Sequence, residues 1–85
     1  MNAKKRFPEL AQLTNEEIRD LLKQSTLSRL DRHITICCLC WNMVDVETAA
    51  AVDRHRTTVG RHLREEIVPE LEQLMKIQDE KCAVG

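Results

Sequence analysis

Glycine and proline are scarce in this chain, two of each in 85 residues; tyrosine is absent and aromatic residues make up 2%. Small β-sandwiches and barrels need turn residues between strands and aromatic or β-branched side chains on their sheets, so this composition excludes them and predicts an all-α fold of four or five short helices without a sheet. No apolar run is long enough to span a bilayer: the longest, residues 34–44, is interrupted by Thr35 and Asn42. Residues 1–6 have the basic start of a secretion signal, but Phe7, Pro8 and Glu9 follow in place of an apolar stretch, so the cytoplasm is the expected compartment and no membrane contact is expected. Net charge is also small: 13 Lys and Arg against 14 Asp and Glu leave −1. A chain coated uniformly for nucleic acid is thereby excluded, and such a role must come from how charge is distributed.

Hydrophobic residues are 42% of the chain and charged residues 32%, enough apolar surface to offset the entropy of ordering one small domain and too little length for a second core. Of the four cysteines, Cys37, Cys38 and Cys40 crowd one segment where short-range bridging is strained, which predicts reduced, buried thiols. His33, Cys37 and Cys40 share one helical side, a spacing that a metal site uses. Zinc ligands come as matched Cys pairs, however, and Cys82 falls in the tail, so no metal and no cofactor are predicted. Glu16, Glu17 and Asp20 line an exposed helical face with no nucleophile or phosphate loop beside them, and no enzyme is predicted.

Local signals place the helices. Residues 1–13 are expected as a loose basic arm, 14–78 as the helical domain and 79–85 as a frayed tail. Thr14 with Glu17 has the capping-box spacing, and Ile18, Leu21 and Leu22 recur at helical intervals to about Gln24. Ser28 with Asp31 starts a second helix, apolar nearly all round, through Leu30, Ile34, Cys37, Cys38 and Trp41, the last expected as a core anchor. Asn42 suits the left-handed residue that stops it. Asp45 is expected to cap a short helix over 46–52. A polar link, Asp53, Arg54 and His55, leads to helical spacing through Val59, Leu63 and Ile67. Pro69 opens a last helix or kinks a continuous one, with a stripe of Leu71, Leu74 and Met75 to about Ile77.

Charge is divided sharply along this last part. Arg54, Arg56, Arg61 and Arg64 lie with His55 and His62 in a stretch without an acid, while residues 65–80 hold six acids against Lys76. With Val59 and Leu63 turned inward, Arg56, Thr57, Gly60, Arg61 and Arg64 face outward, and Ala49 and Val52 supply small apolar side chains where two helices cross under a turn. Arg reaches both guanine acceptors in the major groove, and Thr a base methyl or a phosphate. Gly60 costs about 1 kcal/mol of helix propensity relative to Ala, a hint that something approaches the backbone there.

Residues 42–52 followed by Arg56, Thr57, Thr58, Val59, Gly60, Arg61, His62 and Leu63 resemble the helix-turn-helix of the fourth conserved region of bacterial sigma factors and of related response-regulator output domains. The resemblance covers about residues 28–75. It implies sequence-specific binding of double-stranded DNA by a small transcriptional regulator, with a recognition helix at about 56–64 and contacts drawn from Arg54, His55, Arg56, Thr57, Thr58, Gly60, Arg61 and Arg64. Three positions depart from the pattern: Asp53 stands where the turn usually has Gly, Arg54 where it has an apolar residue, and Thr48 where it has a branched aliphatic. The other sigma regions do not fit in this length. A homodimer through Ile67, Leu71 and Leu74 is expected, because one short helix reads few base pairs. The competing expectation is a protein-interaction module that docks its acidic C-terminal helix on a partner such as RNA polymerase.

Overall fold

The computed structural model describes residues 7–84, with side chains described through residue 78. Among them the fold is all-α, and no strand occurs. The first helical turn, α1 (Pro8–Ala11), begins at Pro8, whose missing N–H suits a first turn, and it places Leu10 at 0% exposure in the core. Residues 8–11 are thus not part of a loose arm, and Phe7 and Leu13 on either side pack partly buried against the core; residues 1–6 of that expected arm lie outside the described residues.

Helix α2 (Asn15–Gln24) starts on the capping box. Thr14 Oγ1 accepts from the Glu17 N–H at 3.1 Å, and Glu17 Oε1 accepts from the Thr14 N–H at 3.0 Å. Ile18, Leu21 and Leu22 are buried, and each such side chain removed from water contributes roughly 1.5–3 kcal/mol. Ser28 Oγ, accepting from the Asp31 N–H at 3.2 Å, opens α3 (Arg29–Thr35).

That helix continues into a wide π turn over Ile36–Cys40, where the Trp41 N–H donates to the Ile36 carbonyl five residues back. Asn42 then takes the left-handed conformation, φ 57°, and stops the rod. The wide turn has a consequence for packing. Cys37, Cys38, Leu39 and Cys40 all lie inside, and none of the three cysteines is in a disulfide. Trp41, expected to anchor the core, is instead 58% exposed, because the extra residue per turn rotates it off the inward face that a 3.6-residue count assigns.

Helix α4 (Asp45–Val52) is capped by Val44 rather than by Asp45. The Val44 N–H donates to Glu47 Oε1 at 3.1 Å, which draws Asp45 into the helix itself. Helix α5 (Arg56–His62) passes through a second π turn, Leu63–Ile67, directly into α6 (Val68–Val84). Pro69 therefore neither starts a separate helix nor breaks one. Its ring has no N–H to give and presses on the preceding turn; the path widens there, with the Val68 N–H bonded five residues back to the Leu63 carbonyl.

The backbone of α6 runs to Val84, beyond the start of the tail expected at 79. Its inner stripe corrects a second expectation: Ile67 and Leu71 are 0% exposed, and Leu74 packs partly buried against the same cluster. The stripe proposed as a dimer seam belongs to the core of this chain, packed against α2 and α3. No helix among the described residues is long and apolar enough to cross a membrane.

Candidate nucleic-acid interface

Helices α4 and α5 are joined by residues 53–55, and the chain breaks there for local reasons. Asp53 is left-handed at φ 56°, ψ 49°. Its N–H donates to the Ala50 carbonyl at 3.4 Å, and the Arg54 N–H to the Ala49 carbonyl at 3.0 Å, the paired bonds of a Schellman ending. Glycine is the usual residue for this conformation, but a short polar side chain such as Asp tolerates it. Arg54 occupies the place where an apolar residue closes the motif. It stays exposed and turns its guanidinium onto the Asp53 carbonyl at 3.0 Å.

His55 then serves as the N-cap of α5, its Nδ1 accepting from the Thr57 N–H at 3.1 Å. An acceptor Nδ1 is an unprotonated one, so the cap commits this ring to a single tautomer. Ala49 and Val52 are buried at the crossing, and Val59 and Leu63 hold α5 to the core at 0% exposure. Thr48, in place of a branched aliphatic, is also fully buried; its hydroxyl lies 3.3 Å from Cys38 Sγ, which satisfies it.

Holding those residues inward leaves Arg56, Thr57, Arg61 and Arg64 exposed on the opposite side. Arg56, Thr57, Gly60 and Arg64 form one wall of an open groove of about 730 Å³, and Val44, Asp45 and Val46 from the start of α4 form the other. Arg61 is exposed beside the groove, Thr58 is half-buried, and Arg54 and His55 sit at the turn, so the structure brings together four of the eight expected contact residues. Arg64 is steadied by its Nε donating to the Gly60 carbonyl at 3.3 Å. Among the described residues none of Arg54, Arg56, Arg61 and Arg64 is paired with a carboxylate. A Cβ built on Gly60 meets nothing within 4 Å, so the packing of this chain does not require glycine there.

The inner side of the same helix carries a feature that sequence reasoning missed. His62 Nδ1 lies 2.6 Å from Asp31 Oδ1 on α3 and 2.9 Å from Glu66 Oε2 one turn onward. His62 is thereby directed inward and is not a flank of the outward face. The Glu66 carboxyl is held above its ordinary range, first by its hydrogen bond to Asp31 and then by the Asp31 charge, with His62 pulling the other way. The wall formed by Val44, Asp45 and Val46 was likewise not anticipated; Glu47, three residues after Val44, was the available signal. No protein-family model, curated protein or solved structure matches the chain.

Proposed function

We propose that this chain binds double-stranded DNA sequence-specifically as a small transcriptional regulator, inserting residues 56–64 into the major groove. The observation that carries the reading is the outward face of α5, where Arg56, Arg61 and Arg64 stand exposed and, among the described residues, unpaired with a carboxylate, while Val59 and Leu63 fix the helix from behind. An arginine fork matches the two acceptors of guanine or a phosphate, and Thr57 at the start of the helix reaches a phosphate or a thymine methyl. The resemblance to the fourth sigma region and to response-regulator output domains supports the same assignment through Ala49, Val52, Thr57, Val59, His62 and Leu63. Such a regulator works in the cytoplasm, where the DNA is.

A symmetric dimer belongs to this proposal, because two recognition helices read two half-sites about 34 Å apart. Its seam uses surface other than Ile67 and Leu71, which the core occupies. The test is selection of bound fragments from random duplexes, followed by gel shift across a salt series. Each arginine that neutralises a phosphate adds about 0.9 to the slope of log affinity against log salt. Arg61→Ala and Arg64→Ala are expected to flatten that slope; unchanged duplex binding in both, with the fold intact by circular dichroism, rejects the assignment.

One observation favours the second reading, a module that binds a protein such as RNA polymerase or another regulator. Trp41 is 58% exposed and Val46 60%, and α6 adds Ile77 at 38%. Large apolar groups in the open mark protein contacts more often than base contacts. A partner retained at high salt by a chain that retains no duplex selects this reading.

A further inference from the structure

We propose that Asp31, His62 and Glu66 form a binding site for one divalent cation of the Mn2+ class, on the side of α5 that the DNA reading leaves unused. Three donor atoms, Asp31 Oδ1, His62 Nδ1 and Glu66 Oε2, lie within 4.8 Å of one another, with separations of 2.6 and 2.9 Å from the imidazole to the two oxygens. Ligands bound about 2.1 Å from a cation stand about 3 Å apart along the edge of an octahedron, so the imidazole already stands at nearly the edge spacing from each of the two oxygens. An ion enters by parting the imidazole from the two oxygens by a few tenths of an ångström and displacing to solvent the proton that Nδ1 shares with them.

Each ligand is placed by a different structural cause. His62 and Glu66 are four residues apart where α5 becomes the π turn, and the wide turn stacks them on one side of the rod. Asp31 faces them from the first turn of α3, with its side chain 5% exposed and its backbone N–H tied to Ser28. The site thus has a fixed, buried inner ligand. Its outer ligand, Glu66, is 54% exposed, which leaves a path for the ion and room for waters to complete its shell.

Charge points the same way. Two carboxylates meet one imidazole, and no Lys or Arg among the described residues pairs with either carboxylate. A buried carboxylate ordinarily acquires a cationic partner, and here, among the described residues, one imidazole is shared between two acids. The donor set of two oxygens and one imidazole nitrogen suits Mn2+ and Fe2+ better than thiol-seeking ions. Bound there, the ion would fasten α3 to the base of α5.

The test uses the full chain and MnCl2, since Mn2+ does not compete for the buried thiols as Zn2+ does. The signal of free aqueous Mn2+ in electron paramagnetic resonance is expected to report one ion bound per chain. Binding is expected to weaken about tenfold or more in both Glu66→Gln and His62→Gln, as loss of a ligand does. Mn2+ is also expected to raise the melting temperature of the wild type and of neither variant. Circular dichroism of the metal-free variants confirms the fold, and Glu66→Gln, at a half-exposed position, guards against a result that only reflects unfolding. No bound ion at millimolar MnCl2, or undiminished binding in either folded variant, overturns the proposal.

Discussion

His62 Nδ1 and Asp31 Oδ1 stand 2.6 Å apart, a contact between residues 31 positions apart that ties the inner side of α5 to the first turn of α3. The helix whose arginines face outward is therefore fixed by apolar contacts at Val59 and Leu63 and by one polar tether between them. Orientation of the outward face depends on both.

The tether predicts an asymmetric mutational response. His62→Ala takes the imidazole from the Asp31 carboxylate, buried at 5% exposure, which costs about 1–3 kcal/mol of stability. His62→Gln keeps a donor near the same place and is expected to lose less. Urea unfolding of the two variants, followed by helical ellipticity, measures the difference. Equal losses would show that ring packing, not the hydrogen bond, sets the cost.

Glu66 predicts a pH response in metal-free buffer. Its carboxyl is raised above the ordinary 4.5, chiefly by the hydrogen bond to Asp31, so the folded chain holds that proton more tightly than the unfolded chain does. Its contribution to stability is present below about pH 4.5 and is lost as pH rises through the raised value. Glu66→Gln, which keeps the neutral form at every pH, is expected to melt higher than wild type at neutral pH. The gap should close as the solution is acidified into the range where wild-type Glu66 is protonated. A gap independent of pH would separate the effect from this proton.

Asp53 carries the turn in a conformation that a side chain occupies at a cost. Its φ of 56° is left-handed, and Asp53→Gly removes that cost, raising stability by up to about 1 kcal/mol. Asp53→Val, with a branched β-carbon in the same conformation, is expected to lower it by more than Asp53→Gly raises it. Thermal melts of the pair check the order; stabilisation by valine would mean that the turn had rearranged.

These effects sort what was legible in the sequence from what was not. Signals confined to a few neighbouring residues were readable: the Thr14 and Glu17 box, the Ser28 cap, and the left-handed stop at Asn42. The inward pair Val59 and Leu63 followed from helical spacing alone. Trp41 was misplaced because a 3.6-residue count was carried across a π turn, and nothing in its neighbours announces that turn. Ile67 and Leu71 form an apolar stripe that looks the same whether its partner is a second chain or α2 and α3 of the same chain. The pairing of His62 with Asp31 has no local signature, since it depends on two helices meeting.

Gly60 offers the sharpest separation between the stability of this fold and its use. Inside a helix, glycine costs roughly 0.5–1 kcal/mol relative to alanine, and a Cβ at this position meets nothing within 4 Å. Gly60→Ala is therefore expected to stabilise the folded chain by about that amount, with no strain to offset it. The added methyl projects from the wall of the groove between Arg56 and Arg64, where the proposed duplex approaches the backbone of α5. If DNA lies there, the same variant binds it more weakly while melting higher. A variant that melts higher and binds equally well would move the DNA contact off this wall toward Arg61. One that binds a protein partner more weakly, and had no duplex affinity to lose, would turn the groove over to the second reading.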